Sequence, residues 1–193
     1  MLDLHQSILV PSRRSPELRS GNHFVQLYEV DAELIDSVTT FVATGIEAGE
    51  TAVVIADASH RRDIELRLTD RIDVDLERDL GAYIALDAED ILSRFMIDGM
   101  PDQARFNSTL APLLERAQKG SPTVRVFGEM VALLYATGRI DAAIRLEQLW
   151  NELARDYSFR LFCAYPANVF SEAEMFHLKE ICSLHSQIVT PLR

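Results

Sequence analysis

The chain has 193 residues, of which 48% are hydrophobic and 25% are charged, the composition of an ordinary globular protein. Its formal net charge of -11 argues against nonspecific binding to nucleic acid or to an anionic membrane. The apolar stretches are strand-sized, the N-terminus shows no secretion signal, and two cysteines make no disulfide framework, which together predict a cytoplasmic protein.

The N-terminal segment differs from the rest of the chain. Residues 1–20 are predicted to be a flexible arm, because prolines, serines and arginines at 11–16 interrupt any regular pattern. No linker composition divides the remainder, so residues 21–193 are predicted to form one domain.

From residue 22 onward, strands alternate with helices. Strands are predicted at 23–28, 51–56, 82–86, 124–127 and 159–165, with a helical pattern after each. Residues 69–81 are interpreted as a short strand or turn. Strands joined by crossover helices form a parallel sheet, so we expect an α/β fold of three layers, with about five strands and helices on both faces.

Helix starts are predicted from side chains that cap free N–H groups. The predicted caps are Asp31, Ser59, Asp87 and Asp141, and the last helix carries a capping box of Ser171 and Glu174. On the helix after Asp141, the sequence pattern assigns Glu147 to the polar face.

The stretch 124–131 turns from a buried strand through a glycine into a helix that begins with Glu129. Ligands bind at the carboxyl ends of the strands in open α/β sheets. The predicted strand ends carry Tyr28, Asp57, Asp87, Glu129 and Tyr165, which favours a small-molecule pocket with aromatic walls and a few acids. The alternative is that the acids serve only as turn, cap or first-turn residues.

A phosphate-binding loop is missing after the first predicted strand. Such a loop needs glycines, whose backbone N–H groups reach the phosphates, and a lysine. Residues 28–33 contain neither and carry three acids, so the sequence argues against a nucleotide triphosphatase.

The local spacing of the cysteines and histidines favours neither nucleophilic catalysis nor metal binding. Cys163 lies within a strand, where a cysteine is usually an inert small hydrophobe, and His23 and His60 are interpreted as structural histidines. His177 and His185 are not spaced to share one helix face. His23 begins its strand and is expected more than about 10 Å from Tyr28, outside the strand-end pocket.

Segments 23–28, 49–56, 86–88, 124–131 and 161–166, in this order and spacing, resemble the MEDS family of sensory domains. The resemblance implies a RecA/KaiC-like fold that has lost its phosphate loop, and a sensor of simple hydrocarbon derivatives. It places the histidine and cysteine proposed to be functional in the family on His23 and Cys163. The family's FGE-type motif falls on Phe127, Gly128 and Glu129.

We therefore expect a non-enzymatic cytoplasmic sensor with neither metal nor cofactor. Its output would pass through a partner such as a histidine kinase or transcription regulator, since no such domain is evident in these 193 residues. No direct contact with nucleic acid or membrane is expected, and a homodimer is compatible with the sequence. The predicted ligand-binding residues are His23, Tyr28, Asp57, Asp87, Phe127, Glu129, Cys163 and Tyr165. Two alternatives remain, a ligand-free interaction adaptor and a residual nucleotide-binding protein.

Overall fold

A computed structural model describes residues 22–121, 123–170 and 175–189. The strands are β1 (His23–Tyr28), β2 (Thr51–Ala56), β3 (Tyr83–Asp87), β4 (Met96–Ile97), β5 (Met100–Pro101), β6 (Val124–Gly128), β7 (Phe159–Pro166) and β8 (Gln187–Val189). Six of them form one sheet in the order β3-β2-β6-β7-β1-β8, whose neighbours all run parallel. β4 and β5 form a small antiparallel hairpin.

Helices cover both faces of this sheet. They are α1 (Asp31–Glu47), α2 (Ala58–Leu68), α3 (Val74–Asp79), α4 (Ala88–Phe95), α5 (Gln103–Gln118), α6 (Met130–Ala136), α7 (Ile140–Leu153) and α8 (Met175–Ser183). The cores on the two faces divide these helices between them. α1, α2 and α3 pack on one face, called the α1 face, and α4 to α8 pack on the other, the α7 face. The predicted three-layer α/β class, with a RecA/KaiC-like and mostly parallel sheet, is confirmed.

The strands are apolar on both sides because each side meets a helical layer. All six residues of β2 are buried. On the α1 face, the ring of Phe162 lies 5.4 Å from that of Phe41, between centroids. On the α7 face, Trp150 lies 5.2 Å from Phe106 and 5.8 Å from Phe159. Such edge-to-face contacts fix how the layers pack on the sheet.

Two helices begin without the predicted side-chain cap. α1 begins at Asp31 itself, after Val30 in extended conformation. α7 begins at Ile140, after Arg139, so Asp141 is already its second residue. Both acids lie in the first helical turn, where the helix dipole favours a negative charge. First-turn acids and capping acids leave similar sequence patterns, which explains the error.

The start of α2 and the segment that follows it also differ from prediction. The cap of α2 is Asp57, which accepts the N–H of His60 at 2.8 Å, while the hydroxyl of Ser59 donates to the same carboxylate at 2.6 Å. The segment interpreted as a short strand or turn contains the helix α3. Its cap is Asp73, which accepts the N–H of Leu76 at 3.0 Å.

The sheet has one more strand than predicted, because β8 adds to the edge beside β1. The predicted N-terminal arm and the capping box of Ser171 and Glu174 lie outside the described residues.

Candidate functional site

Glu129 joins the carboxyl ends of the neighbouring strands β2 and β6. It follows β6 directly, and its N–H donates to the carbonyl of Ile55 at 2.9 Å. Its carboxylate accepts the N–H of Asp57 at 2.8 Å. Glu129 is only 4% exposed. A buried carboxylate needs such partners, so this residue holds the beginning of α2 against the end of β6.

The second oxygen of Glu129 binds a histidine from α2. His60 Nδ1 donates to Glu129 Oε1 at 2.5 Å, and its Nε2 lies 3.8 Å from Asp31. The hydrogen bond to Glu129 raises the pKa of His60 to about 9, against the opposing effect of burial. His60 is therefore an imidazolium at neutral pH. Burial alone would raise the pKa of Asp57, but hydrogen bonds from Ser59 and from the backbone N–H of His60 lower it.

Tyr28 ends β1 at the same edge of the sheet. Tyr28 is 5% exposed. Burial has the largest effect and the charge of Glu129 the next largest, and both raise the pKa of its phenol. The phenol therefore stays protonated and able to donate a hydrogen bond. We call Tyr28, Asp57, His60 and Glu129 the edge site. Its donors and carboxylates are positioned by three different strand ends, as the parallel topology requires.

Three other predicted site residues lie elsewhere. Asp87 caps α4 by accepting the N–H of Asp90 at 3.0 Å, and Arg61 of α2 donates to it at 2.9 Å. Phe127 is fully buried within the core on the α1 face. Tyr165 is fully buried on the α7 face. The residues predicted to line one pocket therefore lie on both faces of the sheet, because alternate residues of a strand point to opposite faces.

A second group of polar side chains is buried beneath the sheet on the α7 face. Its centre is Glu147 of α7, which is 0% exposed. Its Oε1 accepts the hydroxyl of Tyr165 at 2.7 Å. Its Oε2 lies 3.1 Å from His23 Nε2 and 3.5 Å from Cys163 Sγ, and His185 Nε2 lies 3.5 Å from Oε1. We call His23, Glu147, Cys163 and His185 the buried cluster.

The register of β1 against β7 brings His23 and Cys163 together. His23 aligns with Leu161, and the next inward position, Val25, aligns with Cys163. His23 Nε2 lies 3.4 Å from Cys163 Sγ. These residues point to the same face because the side-chain period of a strand is two. Local sequence spacing cannot show this contact, since the pairing joins the two ends of the domain.

Hydrogen bonds at the far ring nitrogens orient both histidines of the buried cluster. His23 Nδ1 lies 3.0 Å from Asn151 Oδ1, and the amide of Asn151 is itself held by donating to the carbonyl of Leu184 at 2.8 Å. His185 Nδ1 donates to the carbonyl of Ile181 at 2.7 Å. Both rings therefore turn Nε2 toward Glu147.

The electrostatics of this cluster are dominated by Glu147. Burial alone would raise the pKa of Glu147, but His185 and His23 together lower it. Burial alone would lower the pKa of His185. The charge of Glu147 outweighs burial, so the pKa of His185 is raised. Burial and the same carboxylate raise the pKa of the Cys163 thiol and of Tyr165. Cys163 is therefore a thiol and a weak nucleophile at neutral pH.

Comparison with known families identifies the domain. The sequence profile for MEDS, the methanogen/methylotroph, DcmR sensory domain, matches residues 22–186. The chain belongs to the MEDS family. A MEDS domain is a sensory domain, so this chain has a role in signalling. A search of curated proteins found no match. Among the described helices, none is both long and apolar enough to cross a membrane.

The MEDS resemblance placed functional side chains on His23 and Cys163, and the fold brings these two residues into contact. Reasoning from the pattern placed Glu147 on the polar face of its helix, which is wrong. Ala143, Glu147 and Trp150 are spaced by four and three residues, so all three lie on one buried face of α7. That spacing was the available signal.

His23 was expected to share no site with the strand-end residues, and for Tyr165 this is wrong, since both His23 and Tyr165 contact Glu147.

The connection between β1 and α1 is short in this MEDS domain. Only Glu29 and Val30 separate the two elements. The N–H of Glu29 donates to the carboxylate of Glu33 at 2.9 Å. An acid of this chain thus lies at the positive end of α1, the position that a phosphate group takes in nucleotide-binding loops.

Proposed function

We propose that this MEDS domain is a non-enzymatic sensor that binds a small ligand at the edge site. Binding would alter the position of α2 and thereby the affinity for a signalling partner, such as a histidine kinase or a transcription regulator. The observation that carries the proposal is the position of Glu129. One carboxylate holds both the backbone of Asp57 at 2.8 Å and the ring of His60 at 2.5 Å.

Only a small part of α2 is buried, which makes it suitable as the moving element. Its buried residues are His60, Ile64 and Leu68, three of the eleven in the helix. A ligand that competes for the carboxylate of Glu129 would weaken or displace one of the two groups now bound there. Because both groups belong to the first turn of α2 or its cap, ligand binding and helix position are coupled.

The charges at the edge site favour a neutral or cationic ligand. The carboxylates of Asp31, Asp57 and Glu129 surround the single imidazolium of His60. Phosphate would be repelled by these carboxylates and by Glu33 at the start of α1. Small alcohols, aldehydes, halocarbons and amines avoid this repulsion, which agrees with the hydrocarbon derivatives that the family resemblance implies.

The test is a two-dimensional NMR titration of the labelled full chain. The probes are methanol, acetaldehyde, dichloromethane, methylamine and ATP, each added separately. Saturable shifts of the amide signals of Asp57, His60 and Glu129 are expected with at least one of the first four. The variant Glu129→Gln should abolish them, whereas Glu89→Gln, an exposed acid in the first turn of α4, should not.

Two results would overturn the proposal. Saturable shifts confined to the edge site with ATP alone would favour residual nucleotide binding. Absence of saturable shifts with every probe, while a purified kinase or regulator binds with unchanged affinity in Glu129→Gln, would favour a ligand-free adaptor.

A further inference from the structure

We propose that the buried cluster is a binding site for a divalent transition-metal ion of the zinc type. His23 Nε2, a carboxylate oxygen of Glu147, Cys163 Sγ and His185 Nε2 lie within 4.8 Å of one another. This site lies on the α7 face and is separate from the edge site, so neither proposal depends on the other.

The spacing of the donor atoms matches a tetrahedral ion. Zinc bonds of about 2.0–2.3 Å place neighbouring ligand atoms about 3.3–3.8 Å apart. The observed separations are 3.1 Å from His23 Nε2 to Glu147, 3.4 Å from His23 Nε2 to Cys163 and 3.5 Å from Cys163 to Glu147. His185 Nε2 is 3.5 Å from the same carboxylate group. The remaining two separations, from His185 Nε2 to His23 and to Cys163, lie within 4.8 Å.

Hydrogen bonds around the cluster leave the lone pairs of the two histidine Nε2 atoms facing its centre. Asn151 and the carbonyl of Ile181 engage Nδ1 of His23 and of His185, so each neutral ring presents an unprotonated Nε2 to the cluster. His185 Nε2 is buried, and its 3.5 Å separation from the carboxylate of Glu147 is long for a hydrogen bond. Metal-bound histidines are held in this way by a partner at the other ring nitrogen. An ion between the two groups would give this nitrogen a bond in place of that long contact.

The charges also balance. On binding, the thiol of Cys163 would release one proton to solvent, and the thiolate and the Glu147 carboxylate together would neutralise a dication. Two neutral imidazoles would complete the shell without adding charge. Burial favours a neutral assembly over separate ions, because isolated charges are costly in the protein interior.

Four protein ligands predict a structural or sensory role. Catalytic zinc sites keep a position open for water or substrate, whereas structural sites are closed by protein. The ligands come from β1, α7, β7 and the connection between α8 and β8. The ion would therefore fasten the edge strand β8 to the centre of the domain.

The experiment measures metal in the purified full chain and then titrates chelator-treated protein with cobalt(II). We expect about one zinc-type ion per chain and a thiolate-to-cobalt charge-transfer band with tetrahedral ligand-field bands. Cys163→Ser should lose the charge-transfer band. Cys182→Ser, which removes a half-buried cysteine outside the cluster, should keep it.

Two further variants separate coordination from simple packing. His185→Gln should lower zinc affinity by at least about tenfold, and Asn151→Ala, which frees the His23 ring, should lower it by about 10–100-fold without changing the stoichiometry. The proposal is overturned if folded wild-type protein gives no cobalt spectrum. It is equally overturned if Cys163→Ser retains the charge-transfer band or Cys182→Ser loses it.

Discussion

The pair of His60 and Glu129 predicts a specific dependence of stability on pH. The pKa of His60 is raised from 6.5 to about 9 in the folded protein, chiefly by its hydrogen bond to Glu129. A group whose pKa is raised on folding adds stability in full below its unfolded value, and this contribution disappears as the pH rises through the folded value. For His60, the contribution is complete below about pH 6.5 and lost above about pH 9.

The size of the effect follows from the shift. One pKa unit corresponds to about 1.4 kcal/mol, so His60 contributes about 3 kcal/mol at low pH. His60 is 9% exposed, so screening by solvent is weak. We expect the difference in free energy of unfolding between wild type and His60→Gln to shrink by about 3 kcal/mol between pH 6 and pH 10. Urea denaturation at intervals across this range measures it.

The matched control is the same comparison made in a Glu129→Gln background. Without the carboxylate, the change in free energy of unfolding caused by His60→Gln should be nearly independent of pH. The other charged groups facing His60 are Asp31 and Asp57, which are present in both backgrounds. A difference that stays constant from pH 6 to pH 10 in the wild-type background, or that grows with pH, would refute the reasoning.

Two pairs of substitutions test the packing. Gly45→Ala should destabilise the fold by about 1–3 kcal/mol, because its Cβ would lie 2.6 Å from Arg125 Cδ, whereas Gly128→Ala, with its nearest contact at 3.8 Å, should cost less than about 1 kcal/mol. Equal losses in urea denaturation would contradict this account. Trp150→Ala should cost about 3–5 kcal/mol, and Phe176→Ala, at 72% exposed, about 0.5 kcal/mol or less by the same measurement.

The strands β1 and β2 could be predicted from sequence because each is a nearly continuous apolar run that ends at polar residues. α1 was predictable for the corresponding reason, since its buried residues recur at helical spacing. The six residues of α3 carry no such periodicity, and only Val74 among them is buried. The helix is specified mainly by the cap at Asp73, a signal that also suits a turn.

The candidate sites were harder to predict than the strands. Glu129 was identifiable because it follows a strand in a parallel fold, where position along the chain fixes position at the sheet edge. Glu147 was misassigned because a glutamate is buried only when partners satisfy it, and those partners, Tyr165 and His185, are distant in sequence. His60 was assigned a structural role for the same reason, since its partner Glu129 lies 69 residues away.

The first and last strands of the described fold are parallel neighbours, with Phe24 beside Gln187. β1 begins at the amino-terminal rim of the sheet with His23, a member of the buried cluster. β8 ends at the opposite rim, where the edge site is found. Substitutions at the start of β1 would therefore act first on the buried cluster, and substitutions at the opposite rim would act first on the edge site.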